Sequence, residues 1–252
     1  MSKIKIAFQG ELGAYSHIAC NEIFKEAEIK TCATFEETFK TAYEEESYRI
    51  IIPLENSLAG RVADIHYLLP KYKLQIHGEH FQRVEHNLIS KSEAEMKDIK
   101  FVRSHAQAIG QCQKIIMQEK YKTIISADTA GSAKDLADGK DKTIAAIASK
   151  LSAEIYKLKI LKENIEDEAG NVTRFLIMGK KVQQPEFNDK KKFITTCIFR
   201  LKSEPSALYK SLGGFATNQV NMTKLESFSV KNTFAQTNFY LDFEGHLDDK
   251  PV

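Results

Sequence analysis

Four short stretches place hydroxyl and amide side chains among small residues in a way that could hold an anion. They are GELGAYS (10–16), PLENS (53–57), SHAQ (104–107) and SADTAG (126–131). Each stands between a short apolar run and an amphipathic one. A strand-to-helix junction there would present unpaired first-turn N–H groups at the positive end of a helix dipole. In open α/β sheets such junctions lie at the carboxyl ends of the strands, where ligands bind. Four around one cleft suit a small substrate carrying more than one carboxylate. Taken singly, plain N-capping by Ser, Asn or Asp explains any of them as well.

Other chemistry-bearing patterns carry less. Gly10-x-x-Gly13 lacks both the Lys-Ser/Thr ending of a phosphate loop and the dinucleotide spacing. The histidines of HGEH (77–80) do not have the helical HExxH spacing of a zinc pair, so no metal is expected. Ser57, His105 and Asp128 have the types of a hydrolytic triad, or of an acyl-transfer site using Ser57 or Ser104, without a strained GxSxG elbow to support it. Cys112 falls inside an apolar helical pattern and reads as core.

The elements that must position these residues alternate short and long, the pattern of an α/β layer fold. Strands are expected at Lys3–Phe8, Arg49–Pro53, Lys100–Arg103, Lys122–Ser126 and Thr143–Ala146. Helices are expected at Ser16–Glu26, Phe35–Glu44, Ser57–Leu69, Gln107–Gln118, Thr129–Asp138 and Ser149–Leu158. His80–Ser90 and Thr173–Gly179 read as strands with no helix directly behind them, suited to carrying the chain between two lobes. QQPEFNDKKK (183–192) reads as a polar linker. Beyond it, a strand (Ile194–Leu201), a helix from Ser203–Pro205 through Leu212, and strands at Val220–Val230 and Thr237–Phe243 make a small α+β module. Its phenylalanines, Phe215, Phe228, Phe234, Phe239 and Phe243, read as its core.

Composition narrows the class. The chain has 252 residues, enough for one large domain or two unequal ones, and its 42% hydrophobic and 28% charged residues are an ordinary globular balance. A formal charge of +2 is far from the basic excess of a nucleic-acid binder. No apolar run approaches the ~20 residues that span a bilayer, and MSKIKIAFQG reads as a first strand rather than a signal segment. The four cysteines are scattered with no CxxC pair, which points to reduced thiols in the cytoplasm.

As a set, the motifs resemble a known family. GELGAYSH (10–17), PLENSLAGRVADIHYLLP (53–70), GEHF (78–81), SHAQAIGQC (104–112), ADTAGSAK (127–134) and NVTRFLIM (171–178) are similar to the catalytic domain of prephenate dehydratases. PSALYKSLGGFATNQVNMTKLES (205–227) resembles the ACT regulatory domain that follows it there. The resemblance runs over about residues 3–246, and TRF with ENS and SHxxAxxQC is specific in combination. It implies a two-lobed α/β catalytic domain similar to periplasmic-binding proteins over 1–182, with lobe 1 at about 1–78 and 175–182 and lobe 2 at about 79–174. A small α+β, ferredoxin-like ACT domain would follow at 193–252. The family's ACT domain is βαββαβ, and only the first four elements are here, so this module is expected to be incomplete, its tail either poorly ordered or reliant on a neighbouring chain to complete its sheet.

The resemblance implies the conversion of prephenate to phenylpyruvate, carbon dioxide and water in phenylalanine biosynthesis, with no cofactor. It also implies a homodimer or homotetramer and allosteric response to L-phenylalanine. Carried over position by position, it makes Thr173, Asn56, Ser104 and Gln111 catalytic, with Glu55, Ser57, Arg174 and Phe175 in the same motifs as substrate-binding residues. Thr173 is expected to donate a hydrogen bond to the departing hydroxyl. Effector binding falls on Ala207, Leu208, Glu226 and Ser227. Many members read GALxxxL and ESRP in those two places; Ser206 and Phe228 depart from that pattern. The alternative is a non-catalytic two-lobed sensor of carboxylates, for which the chain would need no reacting groups.

Overall fold

The computed structural model describes residues 3–62, 65–181, 185–229 and 236–252. The chain divides into two units, Met1–Val182 and Gln183–Val252. The first is an α/β fold with two mixed sheets. Its first sheet begins with β1 (Lys5–Gln9), followed by α1 (Tyr15–Ile23), β2 (Glu28–Cys32), α2 (Phe35–Glu44) and β3 (Tyr48–Asn56). A two-residue strand, β4 (Gly60–Arg61), then precedes α3 (Ile65–Tyr72) and β5 (Gln75–Arg83). The second sheet takes β6 (Asn87–Ser90), β7 (Phe101–His105), β8 (Lys122–Ser126), β9 (Ile144–Ala148) and β10 (Lys159–Lys162). Its helices are α4 (Ala106–Gly110), α5 (Gln113–Gln118), α6 (Thr129–Asp138) and α7 (Lys150–Ile155). The chain then returns to the first sheet as β11 (Val172–Gly179).

Sheet order is β2-β1-β3-β11-β5 in the first lobe and β10-β6-β9-β7-β8 in the second. The central strands read as apolar runs because both faces are covered: Ile50, Ile51 and Ile52 of β3 and Ala145–Ala148 of β9 are fully buried. Ile6, Ala19, Cys20, Ile51 and Phe175 form the first lobe's core beneath α1. Two clusters, one around Cys112, Ile115 and Val102 and one around Ile89, Ala133 and Ala153, cover the faces of the second sheet.

The lobe boundaries differ from those expected at 78/79 and 174/175. All of β5 and all of β11 belong to the first sheet, where β11 inserts antiparallel between β3 and β5. The crossings are instead 84–86 and 163–171, and they are tied to each other by Val84 N–H to Asn171 O and Ile165 N–H to His86 O, both 2.8 Å. Which sheet a strand joins depends on long-range pairing that local periodicity does not carry, so the pattern alone could not place this boundary.

Two expected helices are interrupted, each for a local reason. Ser57–Leu69 starts as a turn because the Asn56 side-chain oxygen takes the N–H groups of Leu58 and Ala59, and Gly60 then adopts φ +77°. An Asx turn followed by a left-handed residue cannot continue as helix. Gln107–Gln118 breaks between Gly110 and Gln113 because the Asp167 carboxylate accepts from the N–H groups of Gln113 and Lys114, at 2.9 Å each. β2 and β10 were not expected from the pattern. Both are short sheet-edge strands with charged residues, Glu28 and Lys30 in one and Lys159 and Lys162 in the other.

The second unit contains β12 (Ile194–Arg200), α8 (Ala207–Thr217), β13 (Met222–Ser229) and β14 (Thr237–Glu244). They form a three-stranded antiparallel sheet of order β12-β14-β13 with one helix. Phe228 and Phe243 are buried, Phe215 packs edge-on against Phe243, and Phe239 stacks on Phe199; Phe234 lies outside the described residues. Ser206 precedes α8 at φ +64°, ψ 12°, with no hydrogen bond from its side chain to the helix. A left-handed conformation costs an L-residue about 1–2 kcal/mol, partly offset in glycine by its looser unfolded chain. Ser206→Gly is therefore expected to stabilise this unit by up to about 1 kcal/mol, read as a rise in its calorimetric melting temperature; an unchanged or lower temperature would contradict the strain.

Candidate active site

The strand register brings TRF and ENS together. Thr173 faces Asn56 and Arg174 faces Glu55 across the β11–β3 pair. From there a continuous hydrogen-bonded chain crosses the first unit. Asn56 Nδ2 donates to Thr173 Oγ1 at 2.9 Å and to Asn171 Oδ1 at 2.6 Å. Asn171 Nδ2 donates to Gln111 Oε1 at 2.9 Å, and the same oxygen meets His86 Nε2 at 2.9 Å. His86 Nδ1 lies 3.0 Å from the Tyr15 hydroxyl, which is also 2.6 Å from the Glu85 carbonyl.

The direction of these bonds is fixed from one end. Backbone N–H groups can only donate, so Leu58 and Ala59 identify the Asn56 atom they meet as the carbonyl oxygen. Its NH2 must then face Asn171 and Thr173. Asn171 in turn presents its own NH2 to Gln111. Thr173, buried and accepting from Asn56, keeps its single proton for a donor role. Gln111 presents an amide oxygen that already accepts twice and an NH2 with no acceptor among the described residues. Two uncharged donors, the Thr173 hydroxyl and the Gln111 amide, are thus set up for a ligand's oxygens.

Burial holds the polar relay neutral. The imidazole of His86 is lowered from its ordinary value chiefly by desolvation, partly opposed by the bond to Gln111 and by nearby Glu166. Loss of solvent pushes the Tyr15 phenol well up, with Cys112, Glu166 and Glu85 adding in the same direction. The N-terminus of α1, beside Tyr15, has no side-chain cap. At two other expected junctions capping accounts for the residues: Asp128 accepts from Gly131 N–H at α6, and His105 Nδ1 accepts from Gln107 N–H at α4.

Several expected site residues sit elsewhere. Ser104 is fully buried at the end of β7, and its hydroxyl donates to Ile147 O on β9, so it ties two strands together. Phe175 lies in the first lobe's core under α1. Arg174 is held between Glu55 (3.2 Å) and Glu79 (2.7 Å) and is nearly buried there, closing an ion-paired group across β3, β11 and β5. Ser57 accepts from Val172 N–H and donates to Gly170 O, fastening the turn after β3 to the strand that carries Thr173. Ser57, His105 and Asp128 make separate contacts, so the triad pattern is not assembled; neither Ser57 nor Ser104 is hydrogen-bonded to a histidine. Cys112 is buried, which raises its thiol far above the ordinary value. His80 pairs with Glu22 (3.2 Å), while His77 Nε2 is buried without a partner beside Gly179. Among the described residues no group of three or more His, Cys, Asp or Glu could hold a metal ion, and no helix is long and apolar enough to cross a membrane.

Sequence reasoning missed His86, Asn171 and Tyr15 as site residues. Tyr15 and Asn171 stand inside recognised motifs, but nothing in their spacing showed that they reach Gln111. His86 carried no signal at all.

The prephenate dehydratase family model matches residues 6–183. A bifunctional N-acyl-homoserine lactone acylase/prephenate dehydratase from Komagataeibacter europaeus is 40% identical over 250 residues, covering 98% of this chain and 88% of its own. The prephenate dehydratase of Methanocaldococcus jannaschii is 40% identical over 200 residues, 79% of this chain and 72% of its own. A crystal structure of prephenate dehydratase from Arthrobacter aurescens in complex with L-Phe superposes with a TM-score of 0.90 at 25% identity, covering 99% of this chain and 83% of that one.

Proposed function

The chain belongs to the prephenate dehydratase family, and from that membership we propose how its cleft removes carbon dioxide and water from prephenate. It is a decarboxylating lyase that forms phenylpyruvate in phenylalanine biosynthesis. Prephenate carries a ring carboxylate, a pyruvyl carboxylate and a hydroxyl para to the first. As the bond to the ring carboxylate breaks, its electron pair enters the ring and the C–O bond at the opposite carbon breaks. The dianion and one proton give phenylpyruvate, carbon dioxide and water. Aromatisation supplies the electron sink, so the protein's tasks are to hold two carboxylates and to stabilise the departing oxygen.

The observation that carries the assignment is the Asn56–Thr173 bond, in which Thr173 accepts and so keeps its proton free to donate to a ligand. A hydrogen bond from its hydroxyl to the leaving oxygen stabilises charge that develops in the transition state. The threonine hydroxyl is too weak an acid for complete transfer to be the main contribution. Gln111 donates its NH2 to a substrate carboxylate, and the uncapped amides of α1 supply the other electropositive surface. Glu55, Arg174 and Glu79 brace the strand that carries Thr173; Ser57 braces its turn.

The second unit is an ACT-type regulatory module on this reading, with Ala207 and Leu208 at the start of α8 and Glu226 and Ser227 on β13 as its effector positions. The Arthrobacter structure holding L-Phe supports phenylalanine as the effector. The cleft would serve a homo-oligomer in the cytoplasm. The direct experiment adds prephenate to the purified chain without metal or nucleotide, with and without L-phenylalanine. Phenylpyruvate is expected to form, and phenylalanine to lower its rate. Binding of prephenate without turnover would favour the sensor, and a rate indifferent to phenylalanine would remove the effector assignment.

A further inference from the structure

Gln111 is useful to a carboxylate only if its amide points the right way, and an amide can turn over at almost no cost unless its oxygen is claimed. Here that oxygen is claimed twice, by Asn171 Nδ2 and His86 Nε2, both at 2.9 Å. The two donors come from the two crossings that join the lobes, His86 from 84–86 and Asn171 from 163–171. Both residues are almost completely buried. Resting on the reading of the cleft given above, we propose that His86 is a positioning residue for the reaction: as the Nε2–H tautomer it locks Gln111 with its NH2 toward the substrate.

The tautomer follows from the contacts. An amide oxygen accepts, so the nitrogen facing it must carry the proton. In a neutral ring that leaves a lone pair on Nδ1, 3.0 Å from the Tyr15 hydroxyl, whose one proton is also directed at the Glu85 carbonyl at 2.6 Å. The Gln111 oxygen, claimed from its other side by Asn171, is therefore what selects the tautomer. The Glu166 carboxylate accepts from the His86 backbone N–H. Cys112 and the Glu85 carboxylate act on Tyr15 only through space. Without His86, Gln111 retains one anchor and its carbonyl can swing toward the substrate, where it would repel a carboxylate. The consequence is weaker binding of the ground state and transition state alike, which raises KM more than it lowers kcat.

The test is a set of variants assayed with prephenate, beside nitrogen-15 NMR of the wild-type histidine rings. His86→Leu should raise KM by about tenfold, the scale of one lost hydrogen bond to a polar partner, with kcat changed much less. His86→Gln, whose Nε2 can donate to the same oxygen, should restore most of the affinity. His86→Leu combined with Gln111→Ala should be no worse than Gln111→Ala alone. In the spectrum, the ring assigned by its loss in His86→Gln should be protonated on Nε2 in the wild type, and Gln111→Ala should relax that preference. Additive losses in the double variant, or an unprotonated Nε2 in the wild type, would overturn the proposal, and the spectrum decides it even if His86→Leu does not fold. Wild-type kinetics in His86→Leu alone would sink this role and leave the cleft reading standing. Wild-type kinetics in both Thr173→Ala and Gln111→Ala would sink the cleft reading and this proposal with it.

Discussion

Thr173→Ala is expected to lower kcat for phenylpyruvate formation by about 10²–10³, the usual cost of one preorganised donor at a centre of developing charge. KM should stay close to wild type, because the leaving oxygen gains its charge only in the transition state. Thr173→Ser keeps the donor and its Asn56 contact and should retain activity to within about tenfold, losing only the restraint of the β-branch on the side-chain rotamer. The fold should survive both, since Asn56 Nδ2 still has Asn171 Oδ1 and its own oxygen still holds Leu58 and Ala59. Asn56→Asp separates direction from mere contact. A carboxylate there only accepts, so the Thr173 proton would turn toward it and away from the substrate, with a loss comparable to Thr173→Ala despite an isosteric side chain. Should Thr173→Ala keep most of the turnover, the departing oxygen has another donor and the role assigned to Thr173 is wrong.

What could be read in the sequence depended on whether a residue's task is local. The alternation of strand and helix comes from apolar periodicity, and most of the elements of the first unit follow it. Asn56, Thr173 and Gln111 stood out as candidates because they sit in short motifs whose combination is specific, and β11 brings two of them into register across one strand pair. Ser104 and Phe175 sit in the same motifs, yet the hydroxyl of one donates to Ile147 O and the ring of the other packs in the core: motif membership does not say which way a side chain faces. The relay residues failed for the opposite reason. His86 works because Gln111, 25 residues away, is released from a helix by Asp167, 54 residues from Gln113. Such a contact depends on where two crossings meet, and no window along the chain contains it. The lobe boundary was missed on the same account, since sheet membership is a long-range property.

The polarity of this hydrogen-bonded chain has one structural origin. Two backbone N–H groups in the turn after β3 orient Asn56, and every amide beyond it takes its direction in sequence until Gln111. A site built this way delivers donors without placing a fixed cation among them. That suits a substrate from which one carboxylate must depart as neutral carbon dioxide, because a strong ion pair to that group would stabilise the ground state against its loss.

Gly13→Ala should be the most damaging small change outside the cleft. Gly13 has φ +92°, and its carbonyl accepts from Ser149 Oγ at 2.6 Å and Ser152 Oγ at 3.0 Å, joining the turn after β1 in one lobe to the start of α7 in the other. A Cβ on Gly13 would lie 2.5 Å from Ser152 Oγ and 2.7 Å from Ser152 Cα. The second of these is backbone and cannot rotate away. Strain at positive φ costs about 1–2 kcal/mol and overpacking about 1–3 kcal/mol, so this arrangement of the lobes loses roughly 2–5 kcal/mol. Neighbouring contacts between the lobes, Glu11 with Lys134 at 3.0 Å and Tyr15 with the Glu85 carbonyl, are too few to offset that. Because Tyr15 and Gln111 meet through His86 only when the lobes stand as they do here, the fraction of molecules with a complete site falls. Apparent affinity falls by the same fraction. The expected result is a rise of at least about tenfold in KM for prephenate, with the lobes farther apart in small-angle scattering. Ser152→Ala, which removes the hydroxyl's contacts with Gly13 O and Ser149 Oγ and no backbone, should cost only about 1–2 kcal/mol and leave the lobes together, because Ser149 Oγ still donates to Gly13 O. If Gly13→Ala retains the wild-type KM and scattering profile, the contact between these lobes is incidental to the site, and the cleft must assemble by some other restraint.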